Sequence, residues 1–496
     1  MNGQRKSDRS TVPTKPPNKT RAPVAEAVEG RGLAQGNTRQ QNAPRTQCRI
    51  SAPSALERVR HAARRDRKAR FTALFHHVTV ERLYAAFYEL KKKAAPGVDG
   101  ITWEQYESSL EENLRELYQR LHRGAYRAKP SRRVYIPKAD GRQRPLGIAS
   151  LEDKLVQRAV VEVLNAIYEV DFLGFSYGFR PGRGQHDALD ALAKAIMHKK
   201  VSWVLDADIR GYFDAINHEW LLKFVEHRIA DKRILRLIRK WLSAGVMEKG
   251  RWTVSEDGTP QGATVSPLMA NIYLHYVLDL WVQQWRKRSA RGDVVITRWA
   301  DDFIVGFQHQ DDAERFRREL QERMKQFSLE LHPDKTRLIE FGRYAAERRE
   351  RRADGKPETF NFLGFTHICG KTRAGQYQLE RRTIRKRMRV KLQEVKVELR
   401  RRWHLSIRDQ GKWLGSVVRG FFAYHAVPTN YRALQAFRRE VERHWLRALR
   451  RRGQRDRTRW KRLRQLSKRW LPRERIQHPW PDARFDVKTQ GKSRVR

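Results

Sequence analysis

Cysteine is almost missing from this chain, which has only Cys48 and Cys369 among its 496 residues. Two cysteines are too few for a disulfide framework or a cysteine-rich zinc site, so the composition fits a reducing compartment. Long apolar runs are also missing, since none approaches the roughly 18 residues that would span a bilayer. The first ten residues lack the apolar core of a signal peptide. We therefore expect a cytoplasmic protein that has no membrane partner.

Acidic residues are scarce: 56 Asp and Glu stand against 105 Lys and Arg, which gives a net charge of +49. Nucleic acid is the default partner for such a charge, and an anionic membrane surface is the competing interpretation. The excess is concentrated at the ends. Residues 1–70 contain 17 basic and 5 acidic residues, and residues 371–496 contain 39 and 10. We interpret the ends as phosphate-binding segments and the nearly balanced middle as the place of the chemistry.

The chain divides into regions of different pattern. Residues 1–53 are rich in Pro, Gln, Asn, Thr and Arg without apolar periodicity, which predicts disorder. From residue 54 helices alternate with short strands, and beyond Arg381 the pattern is helical and dense in arginine. This last part is interleaved with Trp403, Trp413, Trp445, Trp460 and Trp470. It is either a nucleic-acid-facing bundle or a Trp-packed core with a solvated basic exterior, and the two are compatible on different faces.

An acidic turn lies between two apolar strands at residues 294–307, which read VVITRWADDFIVGF. The pattern predicts a tight hairpin with Asp301 and Asp302 at its tip. Two hard oxygen ligands in an otherwise basic chain indicate a divalent metal site that acts on a polyanion. An ordinary solvated turn explains this stretch equally well when it is taken alone.

A second carboxylate pair ends the strand predicted at residues 201–209, where alternation places Asp206 and Asp208 on one face. If this strand and the hairpin are neighbours, Asp208, Asp301 and Asp302 converge, which is enough to hold two Mg²⁺ ions about 4 Å apart. The order of elements matches a split βαβ sheet of the ferredoxin-like kind. Nucleotidyl transferases and some nucleases both satisfy this geometry.

Two basic features lie near these carboxylates in the chain. A hairpin predicted at residues 133–148 brings Lys138 and Arg144 close together, where they suit a triphosphate, although a solvated surface is the favoured interpretation from the residues alone. The glycine-punctuated loop at residues 176–184, SYGFRPGRG, allows backbone and guanidinium groups to approach a nucleic-acid strand.

Seven segments resemble, in order, the reverse-transcriptase blocks of the group II intron-encoded maturase family. They are IPKADGRQRPLGI, SYGFRPGRG, VLDADIRGYFDAINH, GTPQGATVSPLMANIYLHYVLD, RWADDFIVGF, LELHPDKT and FNFLGF. The likeness runs from about residue 70 to the end. It includes GKWLGSVVRGFFAYHAVPTN, which resembles the maturase-specific thumb, or X, domain.

The resemblance implies an α+β right-hand polymerase, with fingers and a ferredoxin-like palm followed by an α-helical thumb/maturase domain. On this basis residues 54–370 are the fingers and palm with an N-terminal extension, and residues 371–470 are the thumb. Residues 471–496 are a basic tail and a candidate DNA-binding segment. The N-terminal extension and the thumb would bind the intron RNA.

The resemblance also assigns roles to individual positions. Asp208, Asp301 and Asp302 would be the catalytic, metal-binding carboxylates, and the backbone oxygen of Ile209 would complete the shell around two Mg²⁺ ions, with Mn²⁺ as the alternative. The residues expected to bind the nucleotide are Lys138, Arg144, Phe213, Gln261, Gly262 and Lys335. Among these, Phe213 would exclude a 2′-hydroxyl and so select deoxynucleotides. Leu363 and Gly364 would belong to the primer grip.

Three departures from the family pattern stand out. Trp299 replaces the usual Tyr before Ala-Asp-Asp, and Ala263 replaces the second Gly of the Pro-Gln-Gly-Gly turn. The third concerns the His-Asn-His endonuclease that many relatives append. We expect the form that lacks it.

The expected function is RNA-directed DNA polymerisation from dNTPs onto a primer 3′-hydroxyl, combined with assistance to splicing and retrohoming of a group II intron. The expected partners are the intron RNA, an RNA template, a DNA primer or target DNA, and dNTPs; a homodimer is left open. One alternative is a free-standing reverse transcriptase in DNA repair or defence. Another is a splicing-only RNA-binding maturase, whose expected sign, a lost palm carboxylate, is missing.

Overall fold

The computed structural model describes residues 45–137, 143–248, 251–253, 258, 262–451 and 459–484, with residues 45–54 and 137 described by their backbone alone. Two predicted site residues, Lys138 and Gln261, lie outside the described residues. The same holds for residues 1–44 of the segment predicted to be disordered and for residues 485–496 of the predicted tail.

Helices and short strands alternate along the described chain. The helices are α1 (Arg45–Arg65), α2 (Val80–Glu89), α3 (Trp103–Glu107), α4 (Leu110–His122), α5 (Leu151–Asp171), α6 (Gln185–His198), α7 (His218–Glu226), α8 (Lys232–Ser243), α9 (Ser266–Leu274), α10 (Leu280–Arg288), α11 (Gln310–Gln326), α12 (Arg343–Arg351), α13 (Arg385–Arg401), α14 (Ile407–His425), α15 (Tyr431–Arg450) and α16 (Trp460–Trp470). The strands are β1 (Ser131–Pro137), β2 (Gln143–Ile148), β3 (Trp203–Ala207), β4 (Val246–Glu248), β5 (Arg251–Thr253), β6 (Val294–Trp299), β7 (Asp302–Phe307), β8 (Arg337–Glu340), β9 (Phe360–Phe362), β10 (Phe365–Lys371) and β11 (Tyr377–Thr383).

The N-terminal region corrects one prediction. Helix α1 begins at Arg45, so residues 45–53 of the segment predicted to be disordered are helical. An existing helix is extended cheaply, because each added residue gains one hydrogen bond without a new nucleus. Further along the chain, α3 ends at Glu107 and a separate helix, α4, starts at Leu110.

A first sheet has the strand order β2-β1-β4-β5. Strands β1 and β2 form the predicted antiparallel hairpin, in which Arg144 lies opposite Ile136. Strand β4 joins β1 in parallel, with Ser131 opposite Val246. Helix α5 follows β2 and is largely buried, as its apolar pattern predicts.

The central sheet is antiparallel and has the order β6-β7-β3-β8. Strand β3 lies between β7 and β8 in the sheet. The β6–β7 hairpin comes between β3 and β8 in the sequence, but it lies on one side of β3 in the sheet. This is the order of the split βαβ, ferredoxin-like sheet that the pattern predicted. The α+β fold class is confirmed, with a palm-type sheet followed by a helical region.

Both faces of the central sheet are buried, and alternate residues of each strand divide between two hydrophobic clusters. Leu205 and Val305 belong to the large cluster, which also contains α5 and α7 to α11. Val204 and Ile304 belong to a second cluster with α6 and strands β9 to β11. Because the sheet is held from both sides, the ends of its strands are fixed relative to one another.

A third sheet, with the order β11-β10-β9, follows the central one. The boundary predicted at 370/371 falls inside β10, and the β10–β11 hairpin continues to Thr383 before α13 begins at Arg385. The helices therefore begin at Arg385, close to Arg381, beyond which the sequence pattern becomes helical.

Helices α13 to α16 form a separate hydrophobic cluster, and their tryptophans take different positions. Trp445 is completely buried, and its Nε1 donates a hydrogen bond to Gln410 Oε1 at 3.1 Å. Trp413 and Trp470 pack partly against the cluster, whereas Trp403 and Trp460 are 52% and 40% exposed. A Trp-packed core and exposed aromatic rings are thus both present.

The described part of the predicted tail packs back onto the body. The backbone N–H groups of Gln477 and His478 both donate to the carbonyl of Ala426 at the end of α14, and Arg484 reaches Asp190 of α6 at 3.1 Å. Across the described ranges, no helix combines the length and the apolar character needed to cross a membrane.

Candidate active site

Three aspartates meet at one end of the central sheet. Asp208 directly follows β3, Asp301 lies in the turn of the β6–β7 hairpin, and Asp302 is the first residue of β7. Because β3 pairs with β7, with Ala207 opposite Phe303, the chain brings Asp208 beside Asp302. One carboxylate oxygen from each aspartate lies within 4.8 Å of the others. The three residues that the pattern picked out are therefore together in space.

The turn that carries Asp301 has an unusual backbone. Trp299 pairs with Asp302, which leaves Ala300 and Asp301 as a two-residue hairpin loop. Ala300 has a φ of 55° and is 5% exposed. A left-handed conformation costs a non-glycine residue roughly 1–2 kcal/mol, so the surrounding structure must hold the turn in place. Trp299, the departure from the family pattern, packs partly against the second cluster.

Charge at the site is strongly negative and is met by two cations. Lys335 Nζ donates to Asp208 Oδ2 at 2.5 Å, and Arg337 lies 3.7 Å from Asp206. Burial raises the pKa of Asp208; the hydrogen bond from Lys335 lowers it, and the charge of Asp302 raises it. Burial raises the pKa of Asp206 to about 7. The charge of Arg337 lowers this pKa, and the charges of Asp302 and Asp208 raise it. Carboxylates that repel one another in this way favour a bound cation.

The donors fit a hard divalent cation. Three half-buried carboxylates supply oxygen ligands, which Mg²⁺ prefers, and half-burial leaves room for the waters that Mg²⁺ keeps. Ile209, also expected at this site, forms an isolated antiparallel bridge with Leu331 through the Asp208 and Glu330 carbonyls. The bridge does not use the carbonyl of Ile209 itself.

The residues expected to bind the nucleotide include three further ones that the structure describes: Phe213, Gly262 and Arg144. Phe213 lies in the short 3₁₀ turn Tyr212–Asp214, and its ring meets that of Phe179 edge-on at 6.5 Å between centroids. Gly262 has a φ of 109°, and a Cβ there would lie 2.8 Å from the carbonyl oxygen of Gly147. Only glycine therefore lets this turn pack so closely against β2. Arg144, on β2, is half-buried.

Leu363 and Gly364 form the turn between β9 and β10, with φ values of 45° and 84°. Tyr424 of α14 donates its hydroxyl to the carbonyl of Leu363 at 2.7 Å, and Ile384 N–H donates to the carbonyl of Gly364 at 3.2 Å. Tyr424 lies in the stretch that resembles the thumb domain, but the resemblance assigns no role to this residue. Its pairing with a turn 61 residues earlier gives no signal in the sequence.

A second missed group is Arg298 of β6, which is completely buried. A signal was present, because a charged residue in an otherwise apolar strand needs a buried partner. Asp279 is the corresponding charge in the apolar segment YLHYVLDLW, and it proves to be the partner, at 2.6 Å.

A palm-type sheet with carboxylates converging at its strand ends is the arrangement of nucleotidyl-transferring polymerases. Comparison with known families gives the same class: the family described as "Reverse transcriptase (RNA-dependent DNA polymerase)" matches residues 136–367.

Similarity to individual proteins indicates a narrower family within the reverse transcriptases. The chain is 36% identical over 289 residues to Protein YkfC of Escherichia coli, covering 51% of this chain and 75% of that protein. It is 36% identical over 238 residues to the group II intron-encoded protein LtrA of Lactococcus lactis, covering 48% of this chain and 39% of that protein. It is 38% identical over 198 residues to an uncharacterized 91 kDa protein in the cob intron of Schizosaccharomyces pombe, covering 40% of this chain and 24% of that protein.

The chain belongs to the group II intron reverse transcriptase/maturase family. Members of this family generally use divalent metal ions, which agrees with the cluster of three aspartates.

Proposed function

We propose that this protein is an RNA-directed DNA polymerase that transfers nucleotides from dNTPs to a primer 3′-hydroxyl by two-metal catalysis, and that it also binds a group II intron RNA to assist its splicing and retrohoming. The observation that carries the catalytic part is the convergence of Asp208, Asp301 and Asp302, with carboxylate oxygens within 4.8 Å. All three palm carboxylates are present, which favours this function over a splicing-only maturase.

The three aspartates would hold and orient two Mg²⁺ ions, with the carbonyl of Ile209 as a further ligand. The chemistry that such a pair supplies is activation of the attacking hydroxyl and stabilisation of charge on the leaving pyrophosphate. Lys335 stands beside this centre through its ion pair with Asp208, which suits a role near the leaving phosphate.

The incoming nucleotide would be held from several sides. Arg144 and, outside the described residues, Lys138 would bind the triphosphate, because cations on one hairpin match its charge. Gly262 and Gln261 would line the pocket, since the Gly262 turn packs against the same strand as Arg144. Phe213 would exclude a 2′-hydroxyl. The Leu363–Gly364 turn, tied to α14 through Tyr424, would position the primer end.

The intron-binding part of the proposal rests on charge and family membership. Residues 371–496 contain 39 basic and 10 acidic residues, and the region of helices α13 to α16 has exposed rings such as Trp403, between α13 and α14, and Trp460, at the start of α16. Exposed aromatic rings among arginines suit stacking with unpaired bases and contact with phosphates.

The experiment that tests the catalytic proposal is primer extension on an RNA template with Asp301→Ala. The matched control is Asp311→Ala, an exposed aspartate in the first turn of α11 at the other end of β7. We expect Asp301→Ala to abolish cDNA synthesis while intron RNA binding persists, and Asp311→Ala to behave like the wild type. Extension by Asp301→Ala near the wild-type rate would show that the catalytic assignment is wrong.

A further inference from the structure

Arg298, three residues before Asp301, has all five guanidinium N–H groups engaged although it is completely buried. Its Nε and Nη2 donate to the two carboxylate oxygens of Asp279 at 2.7 and 2.6 Å. The other donors go to Asn271 Oδ1 at 3.1 Å, Ser176 Oγ at 2.7 Å and the carbonyl oxygen of Ala300 at 3.0 Å. One side chain thus joins a helix, a loop and the hairpin turn.

The partner of Arg298 lies in an irregular part of its helix. Asp279 is the last residue of the π-helical turn His275–Asp279 between α9 and α10, and it is also completely buried. A buried ion pair is seldom more stabilising than apolar packing of the same volume, although losing one partner is costly. Stability alone therefore gives a weak reason for this pair, and the contact with the turn gives a more specific one.

The Ala300–Asp301 turn is also contacted by the loop that contains Gly178. A Cβ at Gly178 would lie 2.3 Å from the backbone nitrogen of Ala300, so the loop and the turn are in direct contact. Asn271, which also contacts Arg298, donates to the carbonyl of Gly178 at 2.7 Å. The left-handed Ala300 is therefore contacted both by the guanidinium of Arg298 and by the backbone of Gly178.

We propose that Arg298, fixed by Asp279, is a positioning residue that sets the Ala300–Asp301 turn so that the carboxylates of Asp301 and Asp302 meet Asp208 at metal-binding distance. This inference rests on the proposed function of the same site. Lysine at this position keeps the charge but lacks the planar fork, so it cannot bind Asp279 in a bidentate manner and also reach the Ala300 carbonyl, Asn271 and Ser176.

The test compares Arg298→Lys with Arg228→Lys. Arg228 is a matched control because it is 3% exposed, pairs with Asp171 at 2.8 Å and also donates to the carbonyl of Ala69, but touches none of the site carboxylates. Mn²⁺ affinity is measured from the EPR signal of the free ion, without primer or dNTP. Primer extension then gives the Mg²⁺ concentration for half-maximal rate, kcat and the KM for dNTP.

We expect Arg298→Lys to weaken Mn²⁺ binding and raise the Mg²⁺ requirement about 10- to 100-fold, the usual effect of losing a group that orients metal ligands. Its kcat falls while the KM for dNTP stays close to that of the wild type, and Arg228→Lys loses thermal stability only. Equal Mn²⁺ affinity in the two variants would overturn the positioning role.

Gly178→Ala is a second test variant in case Arg298→Lys does not fold. The added methyl group of Gly178→Ala should displace the turn while the Arg298–Asp279 pair stays intact. We expect it too to weaken Mn²⁺ binding; unchanged binding in a folded Gly178→Ala protein would count against the proposal. Failure of the proposed function is distinguishable, since it would appear as a wild-type protein that binds Mn²⁺ but does not extend a primer.

Discussion

Discrimination against ribonucleotides should depend on Phe179 as well as on Phe213. Phe213 is half-buried in its 3₁₀ turn, which is anchored on one side by Tyr212, whose hydroxyl donates to the carbonyl of Ala270 at 2.5 Å. On the other side its ring meets Phe179 edge-on, at an interplanar angle of 73°. If the ring of Phe213 excludes a 2′-hydroxyl by its position, as proposed, that position must be maintained, and the edge contact with Phe179 helps to maintain it.

The size of the effect follows from that contact. An edge-to-face aromatic pair contributes about 0.5–1.5 kcal/mol beyond its buried area, and about 1.4 kcal/mol is a factor of ten in an equilibrium constant. Phe179→Leu keeps a bulky apolar side chain at the same left-handed backbone position (φ of 59°) but removes the ring. We therefore expect the ratio of kcat/KM for rNTP to that for dNTP to rise about two- to tenfold.

The assay is single-nucleotide incorporation on an RNA template with matched rNTP and dNTP. Phe213→Val should raise the ratio further than Phe179→Leu, because it removes the excluding ring itself. Phe71→Leu is the control, since Phe71 is another half-buried phenylalanine whose ring packs against Arg228 instead of Phe213. If Phe179→Leu leaves the ratio at the wild-type value while Phe213→Val raises it, the supporting role of Phe179 is refuted.

Two further predictions concern stability and RNA binding. Asp231 accepts hydrogen bonds from the backbone N–H groups of Leu74, Phe75 and Arg233 at 2.8–2.9 Å; burial raises its pKa, but these donors and Arg233 lower it below the usual 3.8. The ionised Asp231 therefore stabilises the fold above pH 3.8, and this stabilisation is lost as the pH falls through the folded-state pKa. Asp231→Ala should lower the free energy of unfolding, measured with urea at neutral pH, by about 3–6 kcal/mol. The stability of this variant should also depend less on pH in the acid range than that of the wild type. The affinity for intron RNA should fall steeply between about 50 and 200 mM salt, and a nearly flat dependence would count against the basic ends as the RNA-binding segments.

The convergence of Asp208, Asp301 and Asp302 could be predicted from the sequence because the relevant pattern is local. Apolar runs on both sides of Asp301 and Asp302 specify a buried hairpin, and Asp208 closes another apolar strand; burial on both faces then leaves the sheet few alternative registers. The resemblance of the ordered blocks suggests roles that the local pattern leaves open, above all for Arg144, whose neighbours alone favour a solvated surface; that role stays a prediction.

Other features could not be predicted from the sequence, because the residues that stabilise them are distant in the chain. Strand β11 reads YQLERRT, and its inward positions include Arg381 and Thr383, so no apolar alternation marks it as a strand. Arg381 can be buried there only because Asp190, 191 residues earlier, accepts a hydrogen bond from it at 2.8 Å. The hydrogen bond from Tyr424 to Leu363 joins residues 61 positions apart, and hydrophobic periodicity does not predict it either. The Arg298–Asp279 pair differs, because each charge interrupts an apolar segment and so indicates a buried partner.

The most direct test of the catalytic claim is whether the three carboxylates act as one unit. Single-turnover incorporation of one dNTP on an RNA template would be measured for Asp208→Asn, Asp301→Asn and the double variant, with binding of primer and template checked separately. Groups that work together are strongly non-additive, so we predict that either single change removes nearly all incorporation and that the double variant falls little further. Independent, multiplicative losses, or a single variant with near wild-type incorporation, would contradict a shared metal centre.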